Sequence, residues 1–595
     1  MGRFLALYRV GLYCRKFLKL ARLIFPRIMR RIFLTILCIC TSLQMFAVSN
    51  PQWIKKAVIY HIYPMTYMDS NGDGIGDLNG IASKLDYIKD CGFNCIWMSP
   101  CFASAWEDGG YDIVDFYNVD KRFGTNQDLK NLIDQAHSKG IKVLLDLVAG
   151  HTSDKHPWFK ASASAQKNEY SDYYIWTEGK DMKKPGPKFV DNNHPRDGYY
   201  IQNYFDIQPA LNYGYLNPIP SHHWEQGYDA PGPSAVRAEL KKIIAHWCDM
   251  GADGFRVDMA NSLVKSDNAN KDGVRRLWRE IFAWYNSAYP ENIMISEWSN
   301  PGQSLSAGFN IDLLIHNGIG GKIYRPLVCE TTDKMAPTKC YFNKKGDGDI
   351  KDAIRIYKEV YDTYRSLGGY AAMPTNSHDI WRLSRMNRCT PEEQKVVITL
   401  FLTLPTPPIV YYGEEIGMKN LEYAIVKEGS LSGTGRNRAT TRTPMQWTSG
   451  LNAGFSTADP KDIYLPVDNA PEFPNVEQQL NDRNSVLNYV KGLISLRNEI
   501  PALGVEGEWE YVGDLDNPYP MIYSRTLGDE RYLVIFNPSG REVTADLPGV
   551  VGKPKWVYGN DKARVKLSGL GNRAKVKMDP VSVAIIKAPQ NLRAH

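Results

Sequence analysis

Cysteine is scarce in this chain and follows no bonding pattern. Ten of the 595 residues are Cys, and three of them, Cys14, Cys38 and Cys40, lie in the first 49. The other seven (Cys91, Cys95, Cys101, Cys248, Cys329, Cys340 and Cys389) are odd in number and scattered, which excludes a disulfide framework. Cys91, Cys95 and Cys101 lack a zinc pattern and read as small apolar packing residues. Cys329 and Cys340 could close a loop, a point their spacing leaves open. An excess of one charge is also lacking. Nine of the 71 Lys and Arg fall in residues 1–49 with no acid among them, so the rest of the chain holds 62 basic against 65 acidic residues. No basic domain remains, which excludes a nucleic-acid partner. The apolar run Ile32 to Phe46 is interrupted by Thr35, Thr41, Ser42 and Gln44 and is short of the about 20 residues of a membrane span. Met29-Arg30-Arg31 before it and Ala47-Val48-Ser49 after it complete a signal peptide, and Met29 reads as a natural start. No lipobox precedes Cys38 or Cys40, because Leu37 and Ile39 are not small. The expectation is that residues 1–49 are removed, that no stable membrane anchor remains, and that the product is secreted or periplasmic.

What is present is a large apolar fraction, 43%, with 35 Tyr and 14 Trp. Such aromatic faces suit flat, partly apolar ligands such as sugar rings. Short apolar runs alternate with amphipathic stretches, the pattern of repeated βα units. Eight strands are expected, at 57–63, 93–98, 142–148, 254–258, 293–297, 310–314, 369–374 and 408–412. Helices are expected at 81–91, 126–139, 234–250, 349–367 and 486–498. Eight βα units imply an α/β fold closed as a (β/α)8 TIM barrel, with its active site at the C-terminal strand ends. The barrel is assigned to 50–150 and 235–500. The connection 151–234 is too long for a βα loop and reads as an inserted subdomain leaning over the site. From 501 to 595 the period changes to two, which implies a C-terminal antiparallel β-sandwich of six strands.

Three carboxylates stand where apolar runs end: Asp258 in Gly254-Phe-Arg-Val-Asp258, Glu297 after Ile293-Met-Ile295, and Asp379 in His378-Asp379. Asp146 ends a fourth run. A buried carboxylate is costly unless charge pairs with it. Arg256 lies two residues before Asp258, which on a strand puts both on one face. The pattern keeps one acid ionised beside a second that can hold a proton, the requirement of glycoside hydrolysis. Separately, Asp69-Ser-Asn71-Gly-Asp73-Gly-Ile75-Gly-Asp77 sets oxygen ligands at alternate positions. Gly80 in place of Glu at position twelve excludes an EF-hand, and favours a one-off Ca²⁺ or Mg²⁺ loop over a metal-free Asx-rich turn. No organic cofactor is implied.

These segments, with Gly109-Gly-Tyr-Asp-Ile113, Asp146-Leu-Val-Ala-Gly-His151, Gln208-Pro-Ala-Leu-Asn212, Tyr411-Tyr-Gly-Glu-Glu-Ile-Gly-Met418 and Arg442-Thr-Pro-Met-Gln-Trp447, stand in the order of a known family. The chain resembles the α-amylase superfamily (glycoside hydrolase family thirteen), in its oligo-1,6-glucosidase and trehalose synthase branch, over nearly all of 51–590. The resemblance implies Asp258 as nucleophile, Glu297 as general acid/base and Asp379 as the residue that binds the sugar hydroxyls. It implies that His151, Arg256 and His378 hydrogen-bond the same ring and that Tyr111 stacks on it. It implies that Asp112, paired with Arg442, grips the non-reducing end. It also assigns the cation to Asp69, Asn71, Asp73, the Ile75 carbonyl and Asp77. The sequence departs from the family at Gly150, usually Asn, at Ala210, usually Asp, and at Trp298 after the acid. Met259 follows the nucleophile, where Val goes with α-1,6 and Ala or Thr with α-1,4 preference, so linkage is open. The activity implied is a retaining α-glucosidase acting on an oligosaccharide. The alternatives are a trehalose synthase-type transglycosylase and an endo-acting amylase. A transporter-associated heavy chain, which resembles the same branch, and a starch-binding protein both conflict with an intact catalytic triad.

Overall fold

A computed structural model describes residues 50–179, 183–191, 193–328, 339–385, 388–432, 435–547, 554–560 and 574–589, with Val48 and Val550. The expected signal region, apart from Val48, and Cys329 lie outside the described residues.

All eight expected barrel strands form: β1 (Ile59–Ile62), β2 (Cys95–Met98), β3 (Lys142–Leu147), β4 (Gly254–Val257), β5 (Ile293–Ser296), β6 (Ile311–Leu313), β7 (Tyr370–Ala372) and β8 (Ile409–Tyr411). Each is one to three residues shorter than its apolar run. They pair in parallel in the order β7-β6-β5-β4-β3-β2-β1-β8. A single bridge, Pro374 to Ile409, joins β7 to β8 and nearly closes the barrel. Nearly every residue of these strands is buried, as expected of parallel strands with a filled barrel on one face and helices on the other. Helices lie where the periodicity places them, for example Asn126–Ser138, Lys351–Leu367 and Val486–Glu499. The first of these starts on a Thr125/Asp128 capping box. The segment after β3 carries few regular elements. It is held together by isolated bridges, His151 to Ala210 and Tyr174 to Leu211, and by the short hairpin of Phe189–Val190 with Tyr200–Ile201, and is tied to the loop after β4 by a bridge from Tyr215 to Lys265.

Among the described residues the C-terminal region holds seven strands rather than the six expected. Five form one antiparallel sheet: Glu508–Tyr511, Met521–Leu527, Glu530–Asn537, Ser582–Ala588 and Lys555–Gly559. Val543–Leu547, the unexpected strand, pairs with Ala574–Met578 as a separate ladder. Its Asp546, followed by Pro548-Gly549, imitates a turn in the sequence. Arg525, fully buried, donates to the carbonyls of Thr403 and Leu503 and ties this sheet to the barrel.

Candidate active site

The register of β3, β4 and β5 builds the floor of the site. Asp146 lies beside Arg256, and Val257 lies beside Ser296. One residue further along each strand, Asp258 and Glu297 emerge together at the C-terminal mouth. Arg256, only 2% exposed, spans all three carboxylates. Its Nη1 donates to Asp146 Oδ1 and to Asp258 Oδ1, each at 2.9 Å, and its Nη2 donates to Glu297 Oε2 at 2.8 Å. One guanidinium reaching both Asp258 and Glu297 fits the close pair, about 5–5.5 Å apart, of a retaining hydrolase better than the wider inverting pair. The Met259 N–H also donates to Glu297 Oε2, at 3.0 Å. To do so Met259 adopts φ 41°, a left-handed backbone that costs a residue with a Cβ about 1 kcal/mol or more.

Asp379 completes the triad from the loop after β7. Its Oδ1 accepts from Arg438 (2.9 Å) and Arg442 (3.2 Å), and its Oδ2 lies 3.2 Å from His378 Nε2. The cavity these groups share opens to solvent and is lined by Asp258, Glu297, Asp379, Tyr111, His151 and Asp108. Tyr204, Trp298, Asn261, His316 and Arg436 also line it.

The three carboxylates are not electrically alike. Burial pushes Asp258 well above the usual carboxylate range. Arg256 acts against that rise, while Glu297, Asp146 and Asp379 add to it. Burial works in the same direction on Asp379, but His378, Arg438 and Arg442 overcome it and hold that carboxyl well below its usual range. The site therefore holds one acid, Asp379, kept ionised, beside another, Asp258, whose charged form burial disfavours and Arg256 supports. Double displacement at a sugar carbon needs Asp258 as the carboxylate, the form that Arg256 favours.

Most of the expected residues meet here, with two corrections. Tyr111 lines the cavity, stacks on His378 (5.0 Å between centroids) and donates to Asp146 Oδ2 at 3.0 Å. Arg256, His378 and Arg442 stand behind the wall, touching the carboxylates that line it. His151 lines the cavity, but both of its ring nitrogens already have protein partners. Nε2 donates to the Tyr111 carbonyl at 2.9 Å, and Nδ1 accepts from Asn203 at 2.8 Å. Burial lowers its pKa to about 4, so the ring is neutral.

The first correction is Asp112. It does not pair with Arg442 and does not face the cavity. Its carboxylate, fully buried, accepts from Ser104 Oγ and from the N–H groups of Glu107 and Asp108, which shapes the turn. The second is the pairing itself, which falls to Asp108 and Arg438, 2.6 Å apart. Arg438 thus holds Asp108 with one hand and Asp379 with the other. The signal for Asp108 was present in the sequence: it opens the same Asp-Gly-Gly-Tyr-Asp turn. Gly109 between them has φ 59°, and a Cβ there would lie 2.3 Å from Arg442 Nη1, so the turn requires glycine.

The cation loop folds as a tight turn. Asp69 accepts from the N–H groups of Asn71, Gly72 and Gly74 and from Ser456 Oγ. Asp77 accepts from Ser70 and caps the helix at Gly80. Among the described residues no group of three His, Cys, Asp or Glu is gathered as a metal site. The donor set, Asp69, Asn71, Asp73 and Asp77 with the Ile75 carbonyl, is all hard oxygen and fits a divalent cation in kind.

Residues 61–506 match the family described as alpha amylase, catalytic domain. The oligo-1,6-glucosidase of Parageobacillus thermoglucosidasius is 30% identical over 545 residues, covering 83% of this chain and 92% of that protein. The trehalose synthase/amylase TreS of Mycolicibacterium smegmatis is 30% identical, covering 80% and 81%. Among solved structures, a mutant isomaltulose synthase from Erwinia rhapontici NX5 bound to sucrose superposes with a TM-score of 0.75 at 27% identity, covering 91% of this chain and 99% of that one. With the barrel, the paired carboxylates and these relatives together, the chain belongs to the α-amylase family of glycoside hydrolases.

Proposed function

We propose that the protein is a retaining α-glucosidase that removes one glucosyl unit at a time from the non-reducing end of α-linked gluco-oligosaccharides. The observation that carries this reading is the Asp108–Arg438 pair, which lines the cavity and is tied through Arg438 directly to Asp379, so that a buried ion pair stands beside the triad where it can bound the glucose-binding end. In the first step Asp258 attacks the anomeric carbon, and Glu297 gives its proton to the departing oxygen. The result is a β-glucosyl ester on Asp258. Water then enters where the leaving sugar stood, gives a proton to Glu297 and attacks the same carbon. The ester bond breaks, Asp258 is restored as the carboxylate, and the α anomer is released. Asp379, held ionised, faces the positive charge that develops on the ring.

Product analysis on maltose tests this. Glucose as the product supports the α-glucosidase. Trehalose with little free glucose assigns a maltose-isomerising transglycosylase instead, in which Trp298, Tyr204 and Arg436 hold the leaving sugar while it turns. Longer fragments released from the interior of a chain assign an endo-amylase.

Asp108→Ala should lower kcat/KM on maltose by about 2–5 kcal/mol in transition-state terms, because it truncates one partner of a buried pair and removes a wall of the site. Steady-state kinetics check it, and unchanged kcat/KM would remove Asp108 from the glucose-binding end. For the loop at 69–77, we read a structural divalent cation held by Asp69, Asn71, Asp73, Asp77 and the Ile75 carbonyl. Chelation should lower the thermal midpoint and Ca²⁺ should restore it, by about 2.7 kcal/mol of stability at a hundredfold excess over Kd. Asp73→Ala, at an exposed position, should lose that response. Identical melting with chelator and with Ca²⁺ counts against the cation.

A further inference from the structure

Asp312 is fully buried on β6, and nothing in the mechanism above uses it. Its register partner is Ser296 of β5, the residue before the general acid. One carboxylate oxygen accepts from Ser296 Oγ at 2.8 Å and from the Ser299 N–H at 3.1 Å. The amides of Trp298 and Asn300 also point at the carboxyl. Among the described residues no cation pairs with it, and its second oxygen has no hydrogen-bond partner. A carboxyl buried without a counter-charge is expensive. Complete burial pushes it up to about 7, against the pull of these donors.

The donors all belong to the turn that leaves Glu297. Ser299 stands at φ 59°, a left-handed conformation that a serine holds only when its surroundings impose it. The same serine donates through Oγ to the Asn317 carbonyl at 2.8 Å and accepts from the Gly320 N–H at 3.0 Å. Asn317 lines the cavity. Glu297 itself is held on the other side by Arg256 and by the Met259 N–H. Its backbone is thus suspended between β4, which receives its N–H at Val257, and the turn gathered onto Asp312.

We propose that Asp312 is a positioning residue for the general acid: by gathering the amides of residues 298–300 it fixes the turn that aims Glu297 at the departing oxygen. The proposal rests on Glu297 being that acid. It makes Asp312 matter in proportion to how much proton the leaving group needs. Maltose loses a sugar alkoxide, which must be protonated as it departs. α-Glucosyl fluoride loses fluoride ion, which needs no proton from Glu297.

The test is kcat/KM, which reports the first irreversible step, for wild type and Asp312→Asn on both substrates. The expected result is a loss of about 100-fold on maltose and less than about threefold on the fluoride, since general-acid catalysis is worth about 10²–10⁴-fold. A merely structural residue would lower both alike. Equal losses on the two substrates, or no loss on maltose, overturn the proposal. If Asp312→Asn does not accumulate as folded protein, Ser296→Ala, which removes one donor to the carboxylate, is read in the same way. A wild type that turns over neither substrate overturns the glucosidase reading itself, and with it the role of Glu297 on which this inference depends.

Discussion

Asp258→Asn is expected to turn maltose over on the order of 10⁴–10⁶-fold more slowly than the wild type, the loss seen when a nucleophile is removed from a site that acts as a unit. In energy that is about 5–8 kcal/mol of transition-state stabilisation. The asparagine amide matches the carboxylate in shape but cannot form the glucosyl ester. It also removes a negative charge from beside the anomeric carbon. Folding should survive. Asp258 is one of three carboxylates on Arg256, and Asp146 and Glu297 remain to pair with that guanidinium. The assignment has a direct chemical check. A fluorinated glucosyl fluoride, which forms its ester faster than the ester hydrolyses, should add one fluoroglucosyl unit to the peptide that carries Asp258. Labelling of any other carboxylate, or retention by Asp258→Asn of more than about a hundredth of wild-type activity, would reassign the nucleophile.

Arg256→Ala should be damaging for a different reason. The guanidinium is buried between Asp146, Asp258 and Glu297, so removing it leaves three acids crowded together without their shared counter-charge. Breaking a buried pair in this way costs about 3–5 kcal/mol of stability, measured as a drop in the denaturation midpoint. Activity changes in a predictable direction as well. Asp258 must be ionised to attack, and Arg256 is the influence that opposes its upward shift. Without Arg256 that pKa rises further, so the acid limb of the pH–rate profile moves to higher pH. Arg256→Lys restores a charge but not the fork: one ammonium cannot reproduce the two-nitrogen grip on Asp258 and Glu297. It should recover much of the stability and little of the rate. Full recovery of rate by lysine would mean that Arg256 contributes charge alone and does not set the distance between the two acids.

Much of this molecule was legible before any coordinates. The eight strands were found because each is a short apolar run that ends in a turn or a charge, and a parallel barrel strand is buried on both faces. Asp258 and Glu297 were reached by the same reading, since a carboxylate at a strand end is costly to bury unless charge pairs with it. The strand Val543–Leu547 was missed because its sequence looks like a turn and its stability comes from a partner some thirty residues away, Ala574–Met578. Asp112 and Arg442 were paired because both lie in recognisable motifs. In the fold, Asp112 turns back on its own loop and Arg442 reaches His378 and Asp379.

The sequence by itself determined the barrel, the standing of Asp258 and Glu297 at the ends of neighbouring strands and the pairing of Arg256 with Asp258. Each depends on a period of two or on the ends of single elements, and these are local properties of a chain. Only the tertiary structure decided which arginine pairs with Asp108, that Arg256 also holds Asp146 and Glu297, and that Asp312 accepts from the turn after Glu297. The Asp108–Arg438 pair joins residues 330 apart, and Asp312 meets Ser296 only because β5 and β6 run in register. Partners of that kind are chosen by how the strands stack around the barrel and by what must be neutralised once water is excluded. No spacing along the chain carries that information.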